Sequence, residues 1–216
     1  MSEPEASEER GSPPGGRRPT KGGSLVFATR NAGKLREASE ILGAAGFVIA
    51  GAAELDLPDV EETGATFEEN ALLKADSAAK ISGLPALGDD SGLEVDALDG
   101  RPGVLSARYG GPGLDDAGRR AKLLAELRDV PDARRTARFV CAVALVTPGG
   151  ETRITRGVCA GRILREERGT GGFGYDRLFA PEGQTLTFGE LPAETKHALS
   201  HRGRALAIVR TWLRPD

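Results

Sequence analysis

The sequence predicts an α/β fold on a mixed sheet, and three observations carry the prediction. Apolar runs of strand length interleave along the chain with longer runs of helical period. Thr66 and Glu69 form a Thr-x-x-Glu capping box, which marks a helix start between two such runs. Residues 139–146 are almost wholly apolar, the pattern of a strand covered on both faces.

In chain order, residues 1–23 come first and are rich in Glu, Pro, Gly, Ser and Arg. They hold four acids, four bases and almost nothing large and apolar, so a disordered tail is expected ahead of one domain over 24–216. A short strand follows at 25–27, then a helix over 34–45 with Leu35, Ala38, Ile41, Leu42 and Ala45 on one stripe. The capping box opens a helix running to about residue 81. Its Phe67, Ala71, Ala75 and Ala78 point inward, while Asn70 and Lys74 share another face. Residues 84–87 lead into a loop bracketed by Gly88 and Gly92, and 93–95 resume as strand. That loop is expected to present Asp89 and Asp90 rather than bury them. A charged amphipathic helix is predicted over 115–128, the buried strand over 139–146 with 154–163 as its hairpin partner, and a last helix over 203–213 burying Leu206, Val209 and Trp212. No internal repeat is visible.

The chain of 216 residues is long enough to bury a core without disulfides or structural metal. Its 30 glycines fall in clusters without a period, as functional loops do. A net charge of -3 and a pI of about 5.6 give no basic footprint, which argues against nucleic acid as a partner but leaves room for a small anion. Cys141 and Cys159 sit in apolar surroundings without metal or redox spacing, and are expected as buried free thiols in a reducing compartment. No 18-residue apolar run occurs and the first residues lack the apolar middle of a signal peptide, so a cytoplasmic chain with no membrane partner is expected.

Four segments carry chemistry. Thr29, Arg30, Asn31, Ala32, Gly33 and Lys34 join the first strand to the first helix, where helix-start amides and a lysine favour an anion. The spacing is not that of a Walker A loop, and the same residues also suit an ordinary turn. Glu61 and Glu62 precede the second helix and can converge with Asp89 and Asp90. Four acids near one point call for a cation, and oxygen ligands without a His/Cys cluster select Mg²⁺; the alternative is that Glu61 and Glu62 only favour the helix dipole. Between Gly169 and Asp176, Phe173, Gly174, Tyr175 and Asp176 stand on glycine-rich backbone, where aromatic faces can stack on a base or simply pack in a core. Finally, Ser200 is a helix cap, and Lys196, His201 and Arg202 can surround a planar anionic ligand; His197 and His201 lack the acid and third ligand of a zinc site.

Together these segments, with Ser91 and Gly92 after the acids and Ser106-Ala107-Arg108-Tyr109, resemble the inosine triphosphate pyrophosphatase family, the non-canonical purine nucleoside triphosphate pyrophosphatases. The likeness covers about residues 25–213 in order. It implies a long central mixed sheet with flanking helices, two lobes around a substrate cleft, and a homodimer. It also implies Mg²⁺-dependent hydrolysis of dITP, ITP and XTP to monophosphate and pyrophosphate. By that resemblance the segment from Thr29 to Lys34 grips the triphosphate and Asp90 binds metal and acts as general base. Glu61 or Glu62 supplies a further metal carboxylate beside Asp89. Ser91, Phe173, Gly174, Tyr175, Asp176, Lys196, His201 and Arg202 contact substrate, with Lys74 on a phosphate. Two competing readings are a septum-inhibitor-type pyrophosphatase acting on pyrimidine or modified nucleotides, and a non-catalytic nucleotide sensor.

Overall fold

The computed structural model describes residues 23–213. Strand β1 (Ser24–Phe27) runs into helix α1 (Ala32–Gly43), which returns to β2 (Val48–Gly51). Helix α2 (Phe67–Ser82) then leads to β3 (Ala86–Val95), and α3 (Asp116–Glu126) precedes the long hairpin β4 (Thr136–Val146) and β5 (Thr152–Ile163). The chain closes with the short strand β6 (Phe179–Pro181) and helices α4 (Ala193–Leu199) and α5 (His201–Trp212). One six-stranded sheet results, in the order β2-β1-β3-β4-β5-β6. β1 pairs parallel with β2 and β3, and the remaining neighbours pair antiparallel, so the sheet is mixed as expected.

Alternation along β4 divides the core. Cys141, Val143 and Leu145 face α1 and α5, packing with Leu25, Phe27, Leu42, Leu206 and Val209. Val140, Ala142, Ala144 and Val146 face α2, whose Ala71, Ala75 and Ala78 let the helix lie close to the sheet. A third apolar cluster, around Leu93, Leu123, Phe139, Phe179 and Phe188, fills the far end of the sheet. Both faces of β4 are thus covered, and Cys141 and Cys159 are buried free thiols. Trp212 is only partly buried against the cluster on the α1 and α5 face.

Thr66 caps α2 as predicted, with its side chain accepting from the Glu69 amide and Glu69 closing the box. The main correction concerns residues 88–92, which are not a loop. They lie inside β3, and Asp89 and Asp90 are 1% and 4% exposed. The two glycines serve packing instead of a turn: a Cβ on Gly88 would stand 2.2 Å from the Ala71 carbonyl oxygen, and one on Gly92 2.3 Å from that of Gly103. Helix α1 starts two residues earlier than expected because Asn31, not a later residue, caps it. Likewise α5 starts at His201 because Ser200 is its cap. β2, β6 and α4 were not anticipated. The predicted tail lies, but for Gly23, outside the described residues.

Candidate active site

β1 pairs with β3 only as far as Phe27 opposite Leu87, yet β3 continues for eight more residues. The connection through α1 leads to one side of β1 and the connection through α2 to the other, so a crevice opens where β1 ends, the place where α/β sheets bind ligands. Strand alternation then sends Asp89 and Ser91 toward α1 and α5 and Asp90 toward α2. Adjacent acids thereby enter different surroundings.

Asp89 Oδ2 lies 3.0 Å from Lys34 Nζ and 3.4 Å from Arg202 Nε, and accepts the Ser91 hydroxyl at 2.8 Å. Burial opposes its ionisation, but Lys34, Arg202 and Lys74 outweigh burial and hold its carboxyl far below the usual range. Its buried Oδ1 has no hydrogen-bond partner among the described residues. Asp90 Oδ1 accepts the Ser91 amide at 2.9 Å and Oδ2 accepts from Asn70 Nδ2 at 3.0 Å. Burial, reinforced by Glu62, raises its pKa against the pull of Lys74 and the Asn70 hydrogen bond.

Lys74 Nζ sits between Glu62 Oε1, at 2.8 Å, and Asp90 Oδ1, at 3.9 Å. Burial disfavours its charge, but Asp89, Asp90 and Glu62 raise its pKa, so it stays an ammonium. Arg108 reaches the other Glu62 oxygen at 3.4 Å. The structure therefore brings Glu62 to Asp90 through a shared cation, whereas Glu61 is exposed on a cavity wall. Among the described residues no three His, Cys, Asp or Glu side chains are gathered closely enough to hold a metal by themselves.

On the α1/α5 side a buried ion cluster forms. Lys196 Nζ lies 2.7 Å from Glu37 Oε1 and 2.8 Å from Asp176 Oδ2, and Arg202 pairs with the second Glu37 oxygen. Burial opposes the charge of Glu37, but Arg202 and Lys196 lower its pKa; Arg202 is held charged by Asp89 and Glu37. His201 stacks on Phe139 with ring centroids 4.7 Å apart. Burial, with Arg202 and Lys196 adding, keeps it neutral, and its buried Nδ1 has no hydrogen-bond partner among the described residues. Lys196 and Arg202 stand 5.1 and 5.7 Å from the Phe173 ring centre.

Two adjoining cavities share Asn31, Lys34, Glu62 and Ala107. The larger, about 570 Å³, is walled by Thr29, Arg30, Glu61, Lys74 and Arg108. The smaller, about 200 Å³, is walled by Asp90, Ser91, Phe173, Gly174, Tyr175, Asp176, Lys196, His201 and Arg202. Arg30 also donates to the Leu57 carbonyl at 2.5 Å. Asn31 caps the Lys34 amide, Ala32 is exposed in the first turn of α1, and Gly33 is needed because a Cβ there would meet the Phe173 ring at 2.7 Å. Tyr175 and Asp176 are largely committed within the fold: the Tyr175 hydroxyl donates to the Ser106 carbonyl at 2.9 Å, and Asp176 accepts the Phe173 amide at 2.9 Å. His197 pairs with Glu40 at 3.2 Å, away from His201.

Three participants escaped the sequence reading. Glu37 is one; its signal was a charge beside Ala38 on the inward stripe of α1. Asn70 is another, visible only as a polar neighbour of Lys74. Asp116 is the third: it accepts the Gly174 amide at 2.8 Å, while Arg120 donates to the Gly174 carbonyl at 2.8 Å, so α3 fixes the aromatic loop.

The sequence profile described as the Ham1 family matches residues 25–212. A dITP/XTP pyrophosphatase of Geobacter sulfurreducens is 56% identical over 190 residues, covering 88% of this chain and 96% of that one. A protein of the same description from Nocardia farcinica is 55% identical over 188 residues, covering 84% and 90%. Among solved structures, a HAM1 protein from Coxiella burnetii superposes with a TM-score of 0.79 at 44% identity, covering 87% of this chain and 96% of that one. The nucleoside-triphosphatase or dITP/XTP pyrophosphatase of Mycobacterium abscessus gives 0.69 at 49% identity, covering 86% and 98%.

Proposed function

This chain belongs to the Ham1 family, and we propose that it hydrolyses non-canonical purine nucleoside triphosphates (dITP, ITP and XTP) to the monophosphate and pyrophosphate. One observation carries the reading. Two adjacent buried carboxylates just beyond the end of β1 each face an ammonium group, Asp90 that of Lys74 and Asp89 that of Lys34, beside a larger cavity walled by charged residues and a smaller aromatic one.

The larger cavity takes the triphosphate. Lys34, Lys74 and Arg108 face it, and the first-turn amides of α1 add the positive end of the helix dipole. The smaller cavity takes the base against the Phe173 ring. Asp90 accepts a proton from water as the water oxygen bonds to the α-phosphorus and the bond to the bridging oxygen breaks. Pyrophosphate then leaves with its charge shared by Lys34 and Lys74. A raised pKa makes Asp90 a stronger base than an ordinary aspartate.

The donor set fits a hard divalent ion: carboxylate oxygens of Glu62 and Asp90, and an Asp89 Oδ1 without a hydrogen-bond partner among the described residues. Glu62, Asp90 and Asp89 would hold Mg²⁺, which would supply neutralisation of charge on the substrate phosphates.

Selectivity follows from donor count. Lys196 and Arg202 can only donate, and two of the three Lys196 donors are taken by Glu37 and Asp176. A 6-oxo purine offers the remaining donors an acceptor, whereas the 6-amino group of adenine leaves donors facing donors, a mismatch worth roughly 10⁴-fold in such sites. Pyrophosphate release from dITP, XTP, dATP, dTTP and UTP, with and without Mg²⁺, tests the reading. Mg²⁺-dependent turnover of dITP and XTP is expected. A preference for dTTP or UTP overturns it in favour of a pyrimidine enzyme, and binding without turnover in favour of a sensor. The family likeness also carries the expectation of a cytoplasmic homodimer, whose stoichiometry sedimentation of the purified chain measures.

A further inference from the structure

Asn70 is fully buried on α2, and its amide is engaged at both ends. Oδ1 accepts the Gly64 backbone N–H at 2.8 Å, and Nδ2 donates to Asp90 Oδ2 at 3.0 Å. A backbone N–H can only donate, so the acceptor end is fixed and the NH₂ end must face Asp90. Gly64 sits so close that a Cβ on it would stand 2.7 Å from Asn70 Oδ1 and 2.6 Å from Glu69 Cβ. The loop therefore needs glycine to seat on α2. Two residues before Gly64 stands Glu62, whose carboxylate reaches Lys74, one turn along the same helix from Asn70.

A single amide thus ties the loop that carries Glu62 and the strand that carries Asp90 to the same turn of α2. We propose that Asn70 is a positioning residue for the hydrolysis. By occupying Asp90 Oδ2 it leaves Oδ1 as the oxygen beside Lys74 and the cavity, and by holding Gly64 it keeps residues 61–64 in register with that carboxylate. The proposal deepens the functional reading above and rests on its placement of Asp90 at the reacting water. A residue of similar volume without the donor leaves the buried Asp90 Oδ2 unpaired, with the Ser91 amide on Oδ1 as the hydrogen bond that still orients the carboxylate.

The test uses the full chain, with dITP turnover, melting temperature and amide exchange at Gly64 read on the same samples. Asn70→Asp keeps an oxygen for the Gly64 N–H and sets a second carboxyl oxygen, in place of the NH₂ donor, against Asp90 Oδ2. Gly64 exchange should stay slow while kcat falls about 10- to 100-fold with KM within about threefold, the cost of a misaimed catalytic group. Asn70→Ala loses both bonds, so Gly64 exchange should quicken and kcat fall at least as far. A kcat for Asn70→Asp within about twofold of wild type, or a loss confined to KM, overturns the proposal. So does failure of both Asn70→Asp and Asn70→Ala to fold, which would make Asn70 a folding residue. If wild type itself releases no pyrophosphate from dITP, the functional reading falls and this proposal with it; active wild type with unaffected variants removes the proposal alone.

Discussion

Replacing Glu37 by Gln removes one negative charge from a cluster that is balanced as it stands. Lys34, Lys196 and Arg202 face Glu37, Asp89 and Asp176. Glu37 is 5% exposed and contacts two of the three cations, so the substitution leaves an uncompensated positive charge in the interior. Removing one partner of a buried pair costs about 3–5 kcal/mol. For a domain of this size each kcal/mol lowers Tm by roughly 2–4 °C, so a fall of roughly 6–20 °C is expected at neutral pH. The pH dependence has a definite sign. The Glu37 carboxyl is held below its ordinary value of 4.5, so its contribution is complete above that value and is lost progressively as pH falls from there through the lowered value of the folded protein. Gln does not titrate, and the wild-type advantage should narrow below about pH 4.5. Melting curves by circular dichroism at pH 7 and pH 4 measure both effects. A Tm within about 2 °C of wild type at pH 7 would refute the claim that Glu37 neutralises the cluster.

Two further outcomes follow from the same geometry. Lys34→Ala removes the closest cation to Asp89 and, on the proposed reading, a phosphate contact, so KM should rise and kcat fall together, and an unchanged kcat/KM removes Lys34 from the site. Burial pushes the Cys141 and Cys159 thiols up to about 11, so neither should react with a thiol reagent at pH 8 in the folded protein and both should react in denaturant; fast labelling of the native chain would contradict their burial.

Local signals were legible in the sequence, and long-range ones were not. The start of α2 could be read because Thr66 and Glu69 satisfy each other within one turn, and β4 because covered faces leave no polar position between Phe139 and Val146. Gly88 and Gly92 misled because their reason lies elsewhere in the chain, in the backbone of Ala71 and Gly103 pressing on β3. The acids between them therefore read as a presented loop when they are buried strand residues. Strands β2 and β6 are short edges with three or four residues, too few for a period to show. Lys34, Asp90, Phe173, Lys196 and Arg202 stood out because their residue types announce chemistry, and the structure sets them on the walls of the two cavities. Glu37 and Asn70 were missed because their roles depend on partners 20 to 165 residues away. Asp89 and Asp90 differ for a reason only the pleat supplies, since alternation gives one two cations and the other a buried amide.

Hydrolysis of dITP in ¹⁸O-labelled water, with wild type beside Asp90→Asn, tests the central claim most directly. Water activated at Asp90 and aimed at the α-phosphorus puts the label in dIMP and none in pyrophosphate, and Asp90→Asn still binds nucleotide but turns over at least about 10²-fold more slowly. Label in the pyrophosphate, release of orthophosphate instead, or wild-type turnover by Asp90→Asn would contradict the placement of the reacting water between Asp90 and the Lys34–Lys74 cradle.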